Sequence, residues 1–191
     1  MKTSISRFAY KLAAATALSV TALAALASPL RGDAPPTPSL WQEHKGKVTY
    51  FGITSVYSCT GIESKVRQVL LLLGARKDMS VNASGCNSRD MPMGHAMTVS
   101  IRVFSLAPAG SAEIAPGAAP PVMATWSPVA IDGQRPPFMG DGDCELIDQL
   151  HEFITKNFSA QNIDYRASCT PHQVTSASFS IHGEFLKTAS S

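Results

Sequence analysis

The sequence predicts an α+β fold, built from duplicated strand–helix–strand–strand units that form an antiparallel sheet with two helices on one face. Two segments carry apolar residues at helical spacing, and two others alternate apolar and polar residues as half-buried strands do. Both patterns occur in the same order around two pairs of cysteines, which indicates an internal repeat. The arrangement is ferredoxin-like in character, although the extra strand in each unit departs from that fold.

A single domain is expected at residues 46–187, which is enough chain for one ordinary core. One unit occupies residues 46–105 and the other residues 122–187, and an Ala-, Pro- and Gly-rich linker at 106–121 joins them. Residues 28–45 precede the domain and include four prolines, so we expect a flexible leader there.

The first 27 residues have the three parts of an export signal. Three cations lie between Lys2 and Lys11, residues 12–23 are apolar and Ala-rich, and Ala27 closes a small-residue cleavage site. We therefore expect residues 1–27 to be a cleavable signal peptide, which makes the mature protein periplasmic or secreted. The apolar run is shorter than the ~20 residues that span a bilayer, and no later run reaches that length, so no membrane span is expected in the mature chain.

Composition argues against a nucleic-acid partner. The chain has 191 residues, of which 16% are charged, and 16 Lys and Arg stand against 14 Asp and Glu. Three of the cations lie in the signal, so the mature chain carries a slight excess of acidic residues. Binding to DNA or RNA needs clustered Lys and Arg, and the sequence has no such cluster.

The first unit is expected to begin with a strand at residues 48–57 and to continue with a helix at 61–73. Thr60 and Glu63 have the spacing of a capping box, and Gly74 suits the position just after a helix. The buried stripe of this helix is expected to contain Ile62, Val66, Val69, Leu70 and Leu73.

The second unit is expected to begin with a strand at residues 122–131, followed by a loop at 135–143 and a helix at 144–158. Asp143 is expected to cap this helix, and Glu145 to interact with the positive end of its dipole. The buried stripe is expected to contain Leu146, Ile147, Leu150, Phe153, Ile154 and Phe158.

Strict alternation predicts a last strand in each unit. Apolar residues alternate with polar ones from Met97 to Val103 after Cys86, and from Ala177 to Phe185 after Cys169. Each of these strands should therefore have one buried face and one solvated face.

Four cysteines in an exported chain predict two disulfides. Because Cys59 and Cys144 open the two helices, while Cys86 and Cys169 follow the next strands, the repeat predicts the pairs Cys59–Cys86 and Cys144–Cys169. The alternative is a reactive thiolate at a helix N-terminus, such as Cys59. No C-x-x-C motif occurs, which disfavours a thioredoxin-type dithiol.

One short segment has the composition of a copper site. Met91, Met93, His95 and Met97 alternate along seven residues, so in an extended chain all four side chains point the same way. Thioethers suit Cu(I), and imidazole suits copper generally. The alternative is that these residues continue the buried face of the strand that follows, with methionine filling gaps in the core.

We expect a non-catalytic binding or accessory protein that needs no cofactor and contacts a protein partner through an apolar patch or a sheet edge. This hypothesis also predicts that no titratable cluster is buried. The first alternative is a copper-binding protein that uses the Met/His segment. The second is an enzyme with an unrecognised site, although the sequence contains no G-x-S-x-G, no H-E-x-x-H and no Gly-rich phosphate loop.

Overall fold

The computed structural model describes residues 35–93, 96–110, 120–172 and 178–189. The expected signal peptide at 1–27 lies outside these residues, as does most of the linker at 106–121. His95 of the Met/His segment also lies outside them.

Six antiparallel strands form one sheet, and two helices pack on it, so the α+β class is confirmed. The sheet order is β2-β3-β1-β4-β6-β5. In chain order the elements are β1 (Thr37–Tyr50), α1 (Cys59–Leu72), β2 (Ser80–Ser84), β3 (Met97–Pro108), β4 (Val122–Asp132), a short 3-10 helix (Asp141–Asp143), α2 (Cys144–Asn157), β5 (Ala160–Ser168) and β6 (Ser178–Thr188).

The strands of the two halves meet between β1 and β4. The first half supplies β2, β3 and β1, and the second supplies β4, β6 and β5. Strand β1 pairs with β3 over Ser39–Tyr50, but with β4 only over Thr37–Ser39. The backbone connection between the halves is therefore short.

One hydrophobic core joins both helices to the inward-facing strand residues. The predicted stripe of α1 is buried throughout, and so is the whole predicted stripe of α2. In β3 the alternation holds as predicted, with Met97, Val99, Ile101 and Val103 buried. Removal of these side chains from water is the main force holding the helices on the sheet.

Strand β1 corrects the expected leader at 28–45 and the expected strand start at Val48. It begins at Thr37, so residues 37–45 belong to the sheet. The proline-rich composition is misleading because Pro38 is the second residue of β1. It lies opposite Met123 of β4, and a residue without an N–H is tolerated at the start of a strand. The strand also ends early, at Tyr50, and leaves 51–58 as a loop.

The start of α1 differs from the predicted capping box. Ser58 is the N-cap, and its Oγ accepts a hydrogen bond from the Gly61 N–H at 3.0 Å. Glu63 does not reach back to the cap; its carboxylate accepts from the Ala83 N–H of β2 at 2.7 Å. The prediction for Gly74 holds, since it follows the last turn with φ +94°, a conformation that glycine adopts without a Cβ clash.

Both predicted disulfides are confirmed. Cys59 pairs with Cys86 at a Cα–Cα distance of 6.1 Å, and Cys144 pairs with Cys169 at 5.6 Å. Each bond joins the first residue of a helix to the chain just after the next strand. Two such bonds are compatible with an oxidising compartment.

Within the described residues, no helix is long and apolar enough to cross a membrane.

Candidate binding site

The loop after β1 is held by one buried carboxylate from the other half of the chain. Four consecutive backbone N–H groups, those of Phe51, Gly52, Ile53 and Thr54, donate to Glu145 at 2.7, 3.1, 2.6 and 3.4 Å. Glu145 is only 1% exposed. Hydrogen bonds to a carboxylate are stronger than neutral ones, and together they replace the water that this charge has lost.

A second buried carboxylate lies next to it in sequence. Asp143 accepts a hydrogen bond from Lys65 Nζ at 2.7 Å and another from the Gly140 N–H at 2.7 Å. The Tyr57 hydroxyl also donates to Asp143. Lys65 extends from α1, so this ion pair connects the two helices.

These contacts correct the capping role expected of Asp143, whereas Glu145 lies in the first turn of α2 as expected. Asp143 is the N-cap residue, but its side chain makes no capping hydrogen bond. Its carboxylate and that of Glu145 contact the first half of the chain instead. The prediction that no titratable cluster is buried is therefore wrong, since Asp143 and Glu145 are both buried. Their burial is tolerated because hydrogen-bond donors surround both carboxylates.

Two tyrosines complete the polar cluster. The hydroxyl of Tyr50 donates to the Ser55 carbonyl, and the rings of Tyr50 and Tyr57 lie 5.5 Å apart between centroids. Burial raises the pKa of both phenols, and the negative charges of Glu145 and Asp143 add to this at Tyr50. Both hydroxyls therefore stay protonated and act as donors at neutral pH.

The cluster supports one wall of a small apolar pocket of about 50 Å³. Phe51, Val56 and Tyr57 from the loop form one side, and Pro92, Ala96 and Met97 are among the residues of the other. For comparison, a cavity of ~150 Å³ holds benzene, so the space in this pocket is on the scale of a small aliphatic group.

The rim of the pocket is unusually apolar. Val56 is 69% exposed and Phe51 is 51% exposed, and both line the pocket. Met91 and Met93, on either side of Pro92, are also exposed. We call Phe51, Val56, Met91 and Met93 the apolar rim, because the first two line the pocket and the other two flank Pro92, which lines it. Exposed apolar residues beside a pocket are typical of a contact surface.

The structure divides the Met/His segment. Met97 is 2% exposed and begins β3, so the alternative interpretation, a continued buried face, holds at this residue. Met91 and Met93 lie outside the strand and are exposed, so that interpretation fails for them. Met97 is therefore not presented at the surface with the other two thioethers.

Sequence reasoning missed most of this site. The strand predicted at residues 48–57 contains both Tyr50 and Tyr57, and so conceals the loop that begins after Tyr50. The only available signal for Glu145 was its position beside a half-cystine at a helix start, a place where burial is common. Nothing local indicated that its partners lie more than 90 residues earlier in the chain.

No protein-family model, no curated protein and no solved structure matches this chain.

Proposed function

We propose that the protein is an exported, disulfide-stabilised, non-catalytic binding protein whose apolar rim holds a protein partner. The observation that carries the proposal is the exposure of Phe51 and Val56 on a loop fixed by Glu145. Aromatic and Met side chains are enriched where proteins bind one another. A loop already held in one conformation loses little entropy on binding.

The pocket indicates what the partner supplies. Its volume of about 50 Å³ and apolar lining suit one small aliphatic side chain, inserted between Val56 and Ala96. We propose that the partner presents this side chain from an exposed segment, with the rim methionines adapting around it. Methionine is flexible and polarisable, so it packs against varied neighbours.

The state of the buried acids favours binding over catalysis. Glu145 accepts hydrogen bonds from four N–H groups, and Asp143 accepts them from a lysine, a tyrosine and an N–H group. Among the described residues, every buried side-chain nitrogen or oxygen has a hydrogen-bond partner. A general base needs an available lone pair near a substrate, and neither acid offers one.

The signal-like first 27 residues and the two disulfides support the exported location. We further infer that the two halves arose by duplication, which the element order strand–helix–strand–strand in each half supports.

Site-specific photo-crosslinking in the exporting host tests this proposal. A photoreactive residue would replace Val56 or Met93 in the full chain, and Ile163 would serve as the control because it is an exposed aliphatic residue on β5. We expect the same host protein to be captured at 56 and 93 but not at 163. The purified partner should bind Val56→Asp at least about tenfold more weakly, but Ile163→Asp unchanged. Equal capture at all three positions, or none, would overturn the proposal.

A second candidate is copper binding at the Met/His segment through Met91, Met93 and His95, without the buried Met97, and it is favoured by the exposure of the first two thioethers. It is tested by titrating the oxidised protein with Cu(I). Binding that is lost in Met91→Leu/Met93→Leu/His95→Ala would support it, and an unchanged affinity in that variant would overturn it.

A further inference from the structure

Three sulfur atoms meet beneath the apolar pocket. The Sδ of Met97 lies 3.6 Å from Cys86 Sγ and 3.9 Å from Cys59 Sγ, so the thioether contacts both atoms of the disulfide. Cys59 and Met97 are buried, and Cys86 is half-buried. At the other disulfide a hard atom lies close instead of a soft one, since Cys144 Sγ is 3.5 Å from the carbonyl oxygen of Ser178.

From this arrangement we propose that reduction of the Cys59–Cys86 disulfide creates a copper(I) site whose ligands are Cys59, Cys86 and Met97. Thiolate and thioether sulfur are the ligands that Cu(I) prefers. The three atoms already surround one point, so opening the S–S bond requires only a local separation of the two cysteines. The site uses a different ligand set from the exposed thioethers, and it shares only Met97 with the pocket proposed to hold a partner's side chain.

Asp90 is close to the site but is not expected to bind this ion. One of its carboxylate oxygens and the two cysteine sulfurs lie within 4.8 Å of one another, the one such group found among the described residues. The carboxylate is already engaged, since it accepts from the Thr60 N–H at 3.2 Å and from the Thr60 hydroxyl. Carboxylate oxygen is also a hard ligand, which suits Mg²⁺ or Ca²⁺ better than Cu(I).

The surroundings provide both reactivity and access. Cys59 is the first residue of α1, where the helix dipole favours a thiolate. Met97 also lines the apolar pocket, so the sulfur cluster is reached from the pocket side. Met91 and Met93 on the rim are exposed thioethers that an arriving Cu(I) ion would meet first.

The reaction balances with a dithiol as the reductant. The dithiol attacks one sulfur of the disulfide to give a mixed disulfide, and its second thiol then releases the protein. The dithiol ends as a cyclic disulfide, having lost two electrons and two protons, and Cys59 and Cys86 become thiols. Each thiol gives up its proton when Cu(I) binds.

Anaerobic titration with Cu(I) against a chromophoric chelator tests the proposal. The full mature chain would carry Met91→Leu/Met93→Leu/His95→Ala, to remove the surface ligands, and would be reduced with a dithiol that is then removed. We expect one Cu(I) per chain, no binding before reduction, and a sulfur-only ligand shell in X-ray absorption. Met97→Leu should weaken binding by about tenfold or more and remove one sulfur from the shell.

The second disulfide provides the matched control. Cys144→Ser/Cys169→Ser should still bind Cu(I) after reduction, whereas Cys59→Ser/Cys86→Ser should not. An affinity that does not change in Met97→Leu would overturn the proposal, as would equal binding by the two cysteine variants. A reduced chain that has unfolded would bind without dependence on Met97, so loss of the fold also gives a negative answer.

Discussion

The carboxylate of Glu145 accepts a hydrogen bond from the backbone N–H of Ile53 at 2.6 Å, across 92 residues of the chain. Three neighbouring N–H groups share the same carboxylate. The N–H of His172 also donates to the Ile53 carbonyl at 2.8 Å. The loop that carries Phe51 and Val56 is thus positioned by residues of the second half.

Glu145→Gln should destabilise the protein by about 3 kcal/mol, since the amide replaces one acceptor oxygen by a donor that faces other donors. The free energy of unfolding would be measured by urea titration. Glu152→Gln is the control, because Glu152 lies exposed on the same helix, and its effect should stay within about 0.5 kcal/mol. Equal losses in the two variants would show that the N–H cluster contributes nothing.

Lys65→Met should cost about 2 kcal/mol, because it leaves the buried carboxylate of Asp143 without its cation. The expected loss of stability is lower than for a fully buried pair because the Lys65 side chain is 24% exposed and solvent screens its charge. Lys45→Met breaks an exposed pair with Glu43 and should change stability by no more than about 0.5 kcal/mol. The free energy of unfolding of both variants would be measured by urea titration. A larger loss of stability in Lys45→Met than in Lys65→Met would contradict this prediction.

Gly74→Ala should destabilise the protein by about 2 kcal/mol. Its φ of +94° disfavours any residue with a Cβ, and that atom would meet the Leu186 carbonyl oxygen at 3.0 Å. Gly110→Ala is the matched change, since a Cβ there has no neighbour within 4 Å. Thermal unfolding should show a lower midpoint for the first variant only, and an unchanged midpoint in Gly74→Ala would exclude strain at the end of α1.

Asp90→Asn should lower stability at neutral pH but not in acid. Hydrogen bonding from the Thr60 hydroxyl and N–H groups lowers the pKa of Asp90 below its ordinary value of 3.8. A carboxyl with a depressed pKa in the folded state stabilises the protein above the pKa of the unfolded chain, and this is lost as pH falls through the folded pKa.

The measurement is the difference in unfolding midpoint between the wild type and Asp90→Asn as a function of pH. It should be constant above about pH 5 and shrink toward zero below pH 3.8. A difference that persists at pH 2 would assign the effect to the altered side-chain hydrogen bonds rather than to the charge, since asparagine tolerates the left-handed backbone at Asp90, φ 61°, as well as aspartate does.

The helices and the disulfides could be predicted because their signals are local. Val66 and Leu150 lie in apolar stripes whose period is independent of the rest of the fold, and each cysteine lies at a recognisable element end. The start of β1 could not be predicted, since its prolines suggest a leader and its pairing with β3 is made by backbone groups that carry no sequence signature.

The candidate site could be predicted only in part for a related reason. Alternate residues point the same way only within a strand, and β3 begins at Met97, so the alternation from Met91 to Met97 does not place their side chains on one face. The burial of Glu145 depends on donors from a loop that is distant in sequence, and periodicity contains no information about such partners.

Strand β1 contacts the second half at both ends and also at its middle, where Gly46 lies so close to Phe153 of α2 that a Cβ would be 2.7 Å from the ring. Backbone pairing with β4 holds Thr37–Ser39, and Glu145 holds the chain just after Tyr50. Phe51 and Val56 therefore lie on a loop whose position depends on Glu145 in the first turn of α2, so the shape of this exposed surface depends on the packing of a helix from the other half of the chain.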